Sequence, residues 1–185
     1  MLRGAATATV CKSGGRSRLR PLPSEVSSAH LRERGQQLKK LIQEVRAVEE
    51  VAFSGHPMVR ATHDRTIEIT TEAHLTPRGD CIVGVGAARG LSQLSPSTKL
   101  ALMSDDANVK LTLVTPAGEF SFMAKGSSSL TFENPRDLVI RKSSYVCGRT
   151  LAVQAGSSAS EIPRDLVESL KSPKAAGALR IEVLA

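Results

Sequence analysis

The chain has no tryptophan, one tyrosine and four phenylalanines in 185 residues. A row of exposed rings for stacking the bases of single-stranded nucleic acid is therefore not to be expected. Acidic residues are missing from one end, where none precedes Glu25. The three cysteines, at positions 11, 81 and 147, are too few and too scattered to read as a disulfide framework, and no Cys-x-x-Cys occurs. No run approaches the roughly 18 consecutive apolar residues of a membrane-spanning helix, so no membrane association is expected. What is present is ordinary for a soluble domain: 41% hydrophobic residues in a length that suits one domain with or without a tail. Such a chain can bury a real core without disulfides or a structural metal.

The net charge of +7 resembles a nucleic-acid signal until it is divided along the chain. Residues 1–46 hold ten basic and three acidic residues, and residues 47–185 hold fifteen of each. The excess lies wholly in the first quarter, so the remainder carries no overall field for phosphate backbones. Residues 1–27 are poor in acids and rich in Arg and Ser. They read as an organellar import sequence, for a mitochondrion or plastid, or as a disordered basic tail of a protein of the cytosol. In residues 28–46, Leu38, Leu41, Ile42 and Val45 recur at three- and four-residue spacing, which predicts an amphipathic helix. That helix either lies on the domain surface or offers this face to a protein partner.

From residue 47 the pattern changes from helical periodicity to alternation. Residues 49–53 predict a strand, and Gly55-His56-Pro57 a turn. Over residues 59–70, Val59, Ala61, His63, Ile67 and Ile69 share one face, opposite Arg60, Thr62, Thr66, Glu68 and Thr70. Residues 81–85 predict a buried strand. Residues 95–103 predict a helix with Ser95 as N-cap and Pro96 at its first position. Residues 109–114 and 119–124 predict further strands. The order then repeats. A shift of 71 places Gly55 on Gly126, Arg65 on Arg136, Ile69 on Ile140 and Arg78 on Arg149. Shifts of 68 and 70 align a second helix and a last strand. The expected fold is α+β and mostly β. It is an internally duplicated strand-strand-strand-helix-strand unit, with halves at about 47–115 and 116–185, related by a pseudo-twofold. The expectation is an antiparallel, barrel-like sheet system carrying two helices, with an open α+β sandwich as the alternative.

Gly55-His56-Pro57, Ala61-Thr62-His63, Ile67-Glu68-Ile69-Thr70 and the run from Leu75-Thr76-Pro77-Arg78-Gly79-Asp80-Cys81 through Ile82-Val83-Gly84-Val85 resemble the "domain of unknown function 371" family of archaea and some eukaryotes. Arg141-Lys142-Ser143 and Arg149-Thr150-Leu151-Ala152-Val153 are similar to it as well. The resemblance covers about residues 47–185 and implies an archaeal-type domain to which residues 1–46 are an addition. It implies no activity. The family's Ala-Asp-Lys-Ala-like stretch after each of these strands is replaced here by Ala87-Ala88-Arg89-Gly90 and Ala155-Gly156-Ser157-Ser158.

Three sets of residues carry chemistry. His56, His63, Asp80 and Cys81, with His74 nearby, lie in the first half. They support a hydrolytic reading in which a histidine is general base, Asp80 orients it and Cys81 is a nucleophile. Zinc is an option for the same residues, although their spacing is no standard ligand signature and no cofactor is predicted. Arg65, Arg78, Arg136 and Arg149, with Asn134 and His63, form the second set. Two symmetric arginine pairs converging near the twofold axis suit a phosphate-bearing ligand, a nucleotide or RNA. The third set is the apolar helix face at Leu38 to Val45, which suits an adaptor. Against each stands a plainer structural role: a core histidine, a buried inert thiol, an arginine in a salt bridge.

Overall fold

Alternation along Val45–Ser54 (β1) turns Glu49, Val51 and Phe53 inward and Val48, Glu50, Ala52 and Ser54 to solvent. The computed structural model describes residues 45–184. It continues with β2 (Thr66–Thr70), β3 (Ile82–Gly84), a single 3-10 turn, α1 (Pro96–Leu102), β4 (Asn108–Thr115), β5 (Gly118–Lys125), β6 (Asp137–Arg141), β7 (Thr150–Ala152), a second 3-10 turn, α2 (Arg164–Ser169) and β8 (Ala176–Leu184). Three strands, a 3-10 turn, a helix and a strand thus occur twice in the same order. The import or tail segment and residues 28–44 of the expected helix lie outside the described residues. Val45 and Arg46, expected to end that helix, open β1. Among the described residues no helix is long and apolar enough to cross a membrane.

The strands form two four-stranded sheets, ordered β1-β8-β4-β5 and β3-β2-β6-β7. The first is antiparallel throughout. The second is mixed: β2 and β6 run antiparallel at its centre, while β3 and β7 pair parallel to them at the edges. This corrects the expectation of an antiparallel barrel. Neither sheet closes on itself; among the described residues the edges of the two sheets meet at isolated bridges, Ser54 to Val85 on one side and Lys125 to Val153 on the other. A short three-residue edge strand offers too few ladder groups for continuous closure. The strand expected over residues 59–70 is also shorter. Ala61 adopts φ 48, as does Phe132 at φ 50 in the second half, and the left-handed turn delays β2 to Thr66.

One apolar core joins both sheets. Val51, Phe53, Leu111, Leu179 and Ile181 come from the first, and Ile67, Ile69, Leu138 and Ile140 from the second. Helix α1 starts as the sequence predicts, with Ser95 Oγ accepting the Thr98 N–H at 3.2 Å. Leu102 closes it against the core. The inward-facing Glu49 of β1 serves the same helix start. Its carboxylate accepts from Ser95 N (3.0 Å), Ser95 Oγ (3.1 Å) and Arg89 Nη1 (2.9 Å). A buried carboxylate is tolerable only when so satisfied. Glu49→Ala is expected to cost about 2–3 kcal/mol by leaving these donors unpaired, read as a lowered denaturation midpoint at constant m-value. A loss under about 0.5 kcal/mol would show that water replaces the carboxylate there.

Candidate functional site

The two central strands of the second sheet are apolar on one face only. In β2 every residue is buried, yet Thr66, Glu68 and Thr70 turn away from Ile67 and Ile69. Cross-strand register places them opposite Arg141, Val139 and Asp137 of β6, and Thr150 of β7 pairs with Val139. This face is therefore polar, and side chains from both halves cover it. Arg149 Nη1 lies 3.4 Å from Glu68 Oε1 and 3.4 Å from Asp137 Oδ2. Thr70 Oγ1 donates to Asp137 Oδ1 at 2.9 Å. Cys81 Sγ donates to Glu68 Oε2 at 3.4 Å.

Arg141 occupies the other end of the face. Its Nε donates to Thr150 Oγ1 at 3.2 Å and its Nη2 to Cys147 Sγ at 3.4 Å. Its guanidinium carbon lies 5.1 Å from the centre of the Tyr145 ring, within cation–π range. Among the described residues no carboxylate pairs with Arg141 within 4.0 Å. That separates it from Arg149 and from Arg136, which is bound to Glu72 at 2.9 Å.

The same face sends its ionisable groups in opposite directions. Burial raises the Glu68 carboxyl above the usual range, although Arg149 and Arg141 oppose it. Burial, the Glu68 charge and the hydrogen bond to it push the Cys81 thiol up to about 12. For Cys147, burial acts upward too. The Arg149 backbone N–H, the Thr150 hydroxyl and Arg141 outweigh it and bring the thiol down to about 7. One cysteine is thus a protonated donor near neutral pH, and the other is about half thiolate there.

The residues expected from sequence divide between this face and the surrounding turns. Arg149 and Cys81 belong to the face. Asp80 sits at its edge, where its carbonyl accepts from Thr62 and His63 backbone N–H groups at 2.9 and 3.3 Å. His63 Nδ1 accepts the Arg65 N–H at 3.1 Å. The same nitrogen is 4.0 Å from Asp64 Oδ1; as an acceptor it brings no proton to that carboxylate. Asn134 does the equivalent work in the second half, its Oδ1 accepting from Arg136 N (2.8 Å) and Asp137 N (2.7 Å). His63 and Asn134 are thus turn-capping counterparts, each closing its own turn. His56 Nδ1 accepts from Met58 N at 3.1 Å in another turn. His74, Arg65 and Arg78 are exposed. Among the described residues no three or more His, Cys, Asp or Glu side chains come together as metal ligands.

Position 149 makes the same backbone contact as position 81. Cys81 O accepts from Glu68 N at 2.9 Å, and Arg149 O accepts from Val139 N at 2.9 Å. In its pairing with the neighbouring strand Arg149 thus resembles Cys81 rather than Arg78. The sequence offers Glu68, Arg141 and Thr150 only as members of a pattern or motif, and it assigns no chemical role to Asp137, Cys147 or Tyr145. The available signal was the alternation of Thr66, Glu68 and Thr70, which reads equally well as a solvated face.

Architecture and site together define a class: a small α+β domain of two open four-stranded sheets with a mixed-charge polar face on one of them. The family described as "Domain of unknown function (DUF371)" matches residues 51–184. The chain belongs to that family, as its motifs imply. Similar proteins include the uncharacterised protein MJ0206 of Methanocaldococcus jannaschii. It is 40% identical over 127 residues, which span 67% of this chain and 91% of that protein. The family match includes every strand and helix from β2 onward.

Proposed function

We propose that this domain binds a small phosphate-bearing ligand on the polar face of its second sheet. Arg141 is the principal anion contact, and Arg149 is a second cation that the ligand shares with Glu68 and Asp137. The observation that carries the reading is the state of Arg141. A guanidinium has five N–H donors, and two of these meet Thr150 and Cys147. Among the described residues no carboxylate lies within 4.0 Å of it, and its anionic neighbour is the partly ionised Cys147 thiol, which takes one of its donors. A half-buried guanidinium so placed suits the fork geometry of a phosphate.

The repeated order of elements supports a further reading, that the halves are copies of one unit. Its strongest support is reciprocity. Gly55 N donates to Ala175 O and His56 N to Leu170 O, while Gly126 N donates to Ala107 O and Ser127 N to Leu102 O. Each half grips the loop after the other half's helix. On this reading the ligand face straddles the pseudo-axis between β2 and β6, and the two copies have diverged to supply different groups to it. The hydrolytic reading built on His56, His63, Asp80 and Cys81 has less behind it, because both histidines cap turns and Cys81 is held protonated.

The test is calorimetric titration of the full chain with inorganic phosphate, repeated on Arg141→Met. Wild-type binding that falls tenfold or more in the variant, with an unchanged circular dichroism spectrum, is the expected result. No phosphate binding by the wild type at moderate salt would sink the reading, as would full retention in Arg141→Met.

A further inference from the structure

The chain is poor in aromatic residues, and most of those present are used inside. Phe53, Phe122 and Phe132 are buried, and Phe120 packs on the core with its ring 5.6 Å from that of Phe122. Tyr145, the only tyrosine in the sequence, is 62% exposed. Its loop is nevertheless tied down on both sides of the ring. Val146 packs against the core. Cys147 N donates to Thr150 Oγ1 at 3.0 Å, and Gln154 N donates to Ser143 O at 3.0 Å. The ring is therefore presented at a set place, over the guanidinium of Arg141.

A largely exposed ring gives up the stabilisation that burial would bring, which is 150 Å² or more of apolar area for an aromatic side chain of about this size. Holding such a ring beside a guanidinium with no carboxylate partner among the described residues joins two recognition elements. One is an anion contact through the free N–H donors of Arg141. The other is a π face open to a second ring. We propose that the phosphate-bearing ligand is a mononucleotide, with its phosphate on Arg141 and its base stacked on Tyr145. This inference rests on the phosphate reading above and adds the class of the remainder of the ligand. A nucleic-acid strand fits less well. Successive bases need successive rings, only one ring is offered here, and residues 47–185 carry balanced charge.

The sole tyrosine in a chain without tryptophan makes the test direct, because intrinsic fluorescence reports Tyr145 alone. The full chain is titrated with AMP, ribose 5-phosphate and inorganic phosphate, by calorimetry and by tyrosine emission. AMP is expected to bind about tenfold or more tighter than ribose 5-phosphate and to quench the emission, which the other two leave largely unchanged. Tyr145→Leu, at an exposed position, is expected to erase the advantage of AMP while keeping the affinity for inorganic phosphate, and Tyr145→Phe to preserve the advantage. Equal affinities for AMP and ribose 5-phosphate, or an advantage that survives Tyr145→Leu, would overturn the mononucleotide inference and leave the phosphate reading standing. Failure of all three ligands to bind would remove the phosphate reading itself. An RNA oligomer that binds more than a hundredfold tighter than AMP would replace the mononucleotide by a strand.

Discussion

At pH 7, iodoacetamide is expected to alkylate Cys147 roughly 10²–10³ times faster than Cys81. The thiolate fractions that follow from values of about 7 and about 12 differ by roughly 10⁴–10⁵, and the lower intrinsic nucleophilicity of the more acidic thiolate offsets about 10² of this. The contrast has a structural cause. Cys147 receives hydrogen bonds from Arg141, Thr150 and the Arg149 backbone, whereas Cys81 donates its own proton to Glu68. Peptide mass spectrometry separates the sites, because tryptic cleavage puts Cys11, Cys81 and Cys147 on different peptides. The Cys147 rate is expected to rise with pH and level off, with its midpoint near 7. In Arg141→Met that midpoint moves up. Phosphate, by engaging Arg141, is expected to slow labelling of Cys147 and to leave Cys81 unaffected. Equal rates at the two cysteines in the folded protein would contradict the assignment of thiol and thiolate. A Cys147 midpoint near the ordinary 8.5 would do the same.

The second large effect concerns how the halves hold one another. A Cβ at Gly55 would lie 2.2 Å from Leu170 O and 2.5 Å from Ser172 O. At Gly126 it would lie 2.3 Å from Leu102 O and 2.8 Å from Ser104 O. These obstacles are backbone carbonyls, which cannot rotate aside as a side chain does. Gly55→Ala and Gly126→Ala must each push a strand end away from the loop after the other half's helix, stretching the hydrogen bonds made there. Each is expected to cost about 3 kcal/mol or more, a fall in Tm of roughly 6–12 °C for a domain of this size. Gly156→Ala is the control, since its nearest contact, Met123 O, is 3.4 Å away. Losses under about 1 kcal/mol at both Gly55 and Gly126 would show that the two helix ends are free to give way.

The start of α1 and the polar face respond differently to sequence reading, for identifiable reasons. Ser95 and Pro96 announce the start of α1 because N-capping is local: a hydroxyl reaches an N–H three residues away. The shift of 71 found Arg65 and Arg136 because both follow a side chain that caps a turn, His63 or Asn134. The place of Arg149 is set by the parallel pairing of β7 to β6, and no short motif encodes that register. Glu68 was legible as a polar position and illegible as a buried one. Alternation tells which residues share a face of a strand, but not whether something covers that face.

The amino-acid sequence by itself determined the order of elements, the inward set of Val, Ile and Leu, the helix start at Ser95 and the family, because each depends on neighbours a few residues apart or on a long ordered motif. Tertiary structure alone decided that the strands form two open sheets rather than a barrel, since closure depends on register between strands far apart in the chain. It alone decided that Glu68, 81 residues from Arg149, shares its charge. It also set Arg141 between Cys147 and Tyr145 with no carboxylate partner among the described residues. Electrostatic environment is a property of distance through space, and the pairing of β2 with β6 is what brings those distances about.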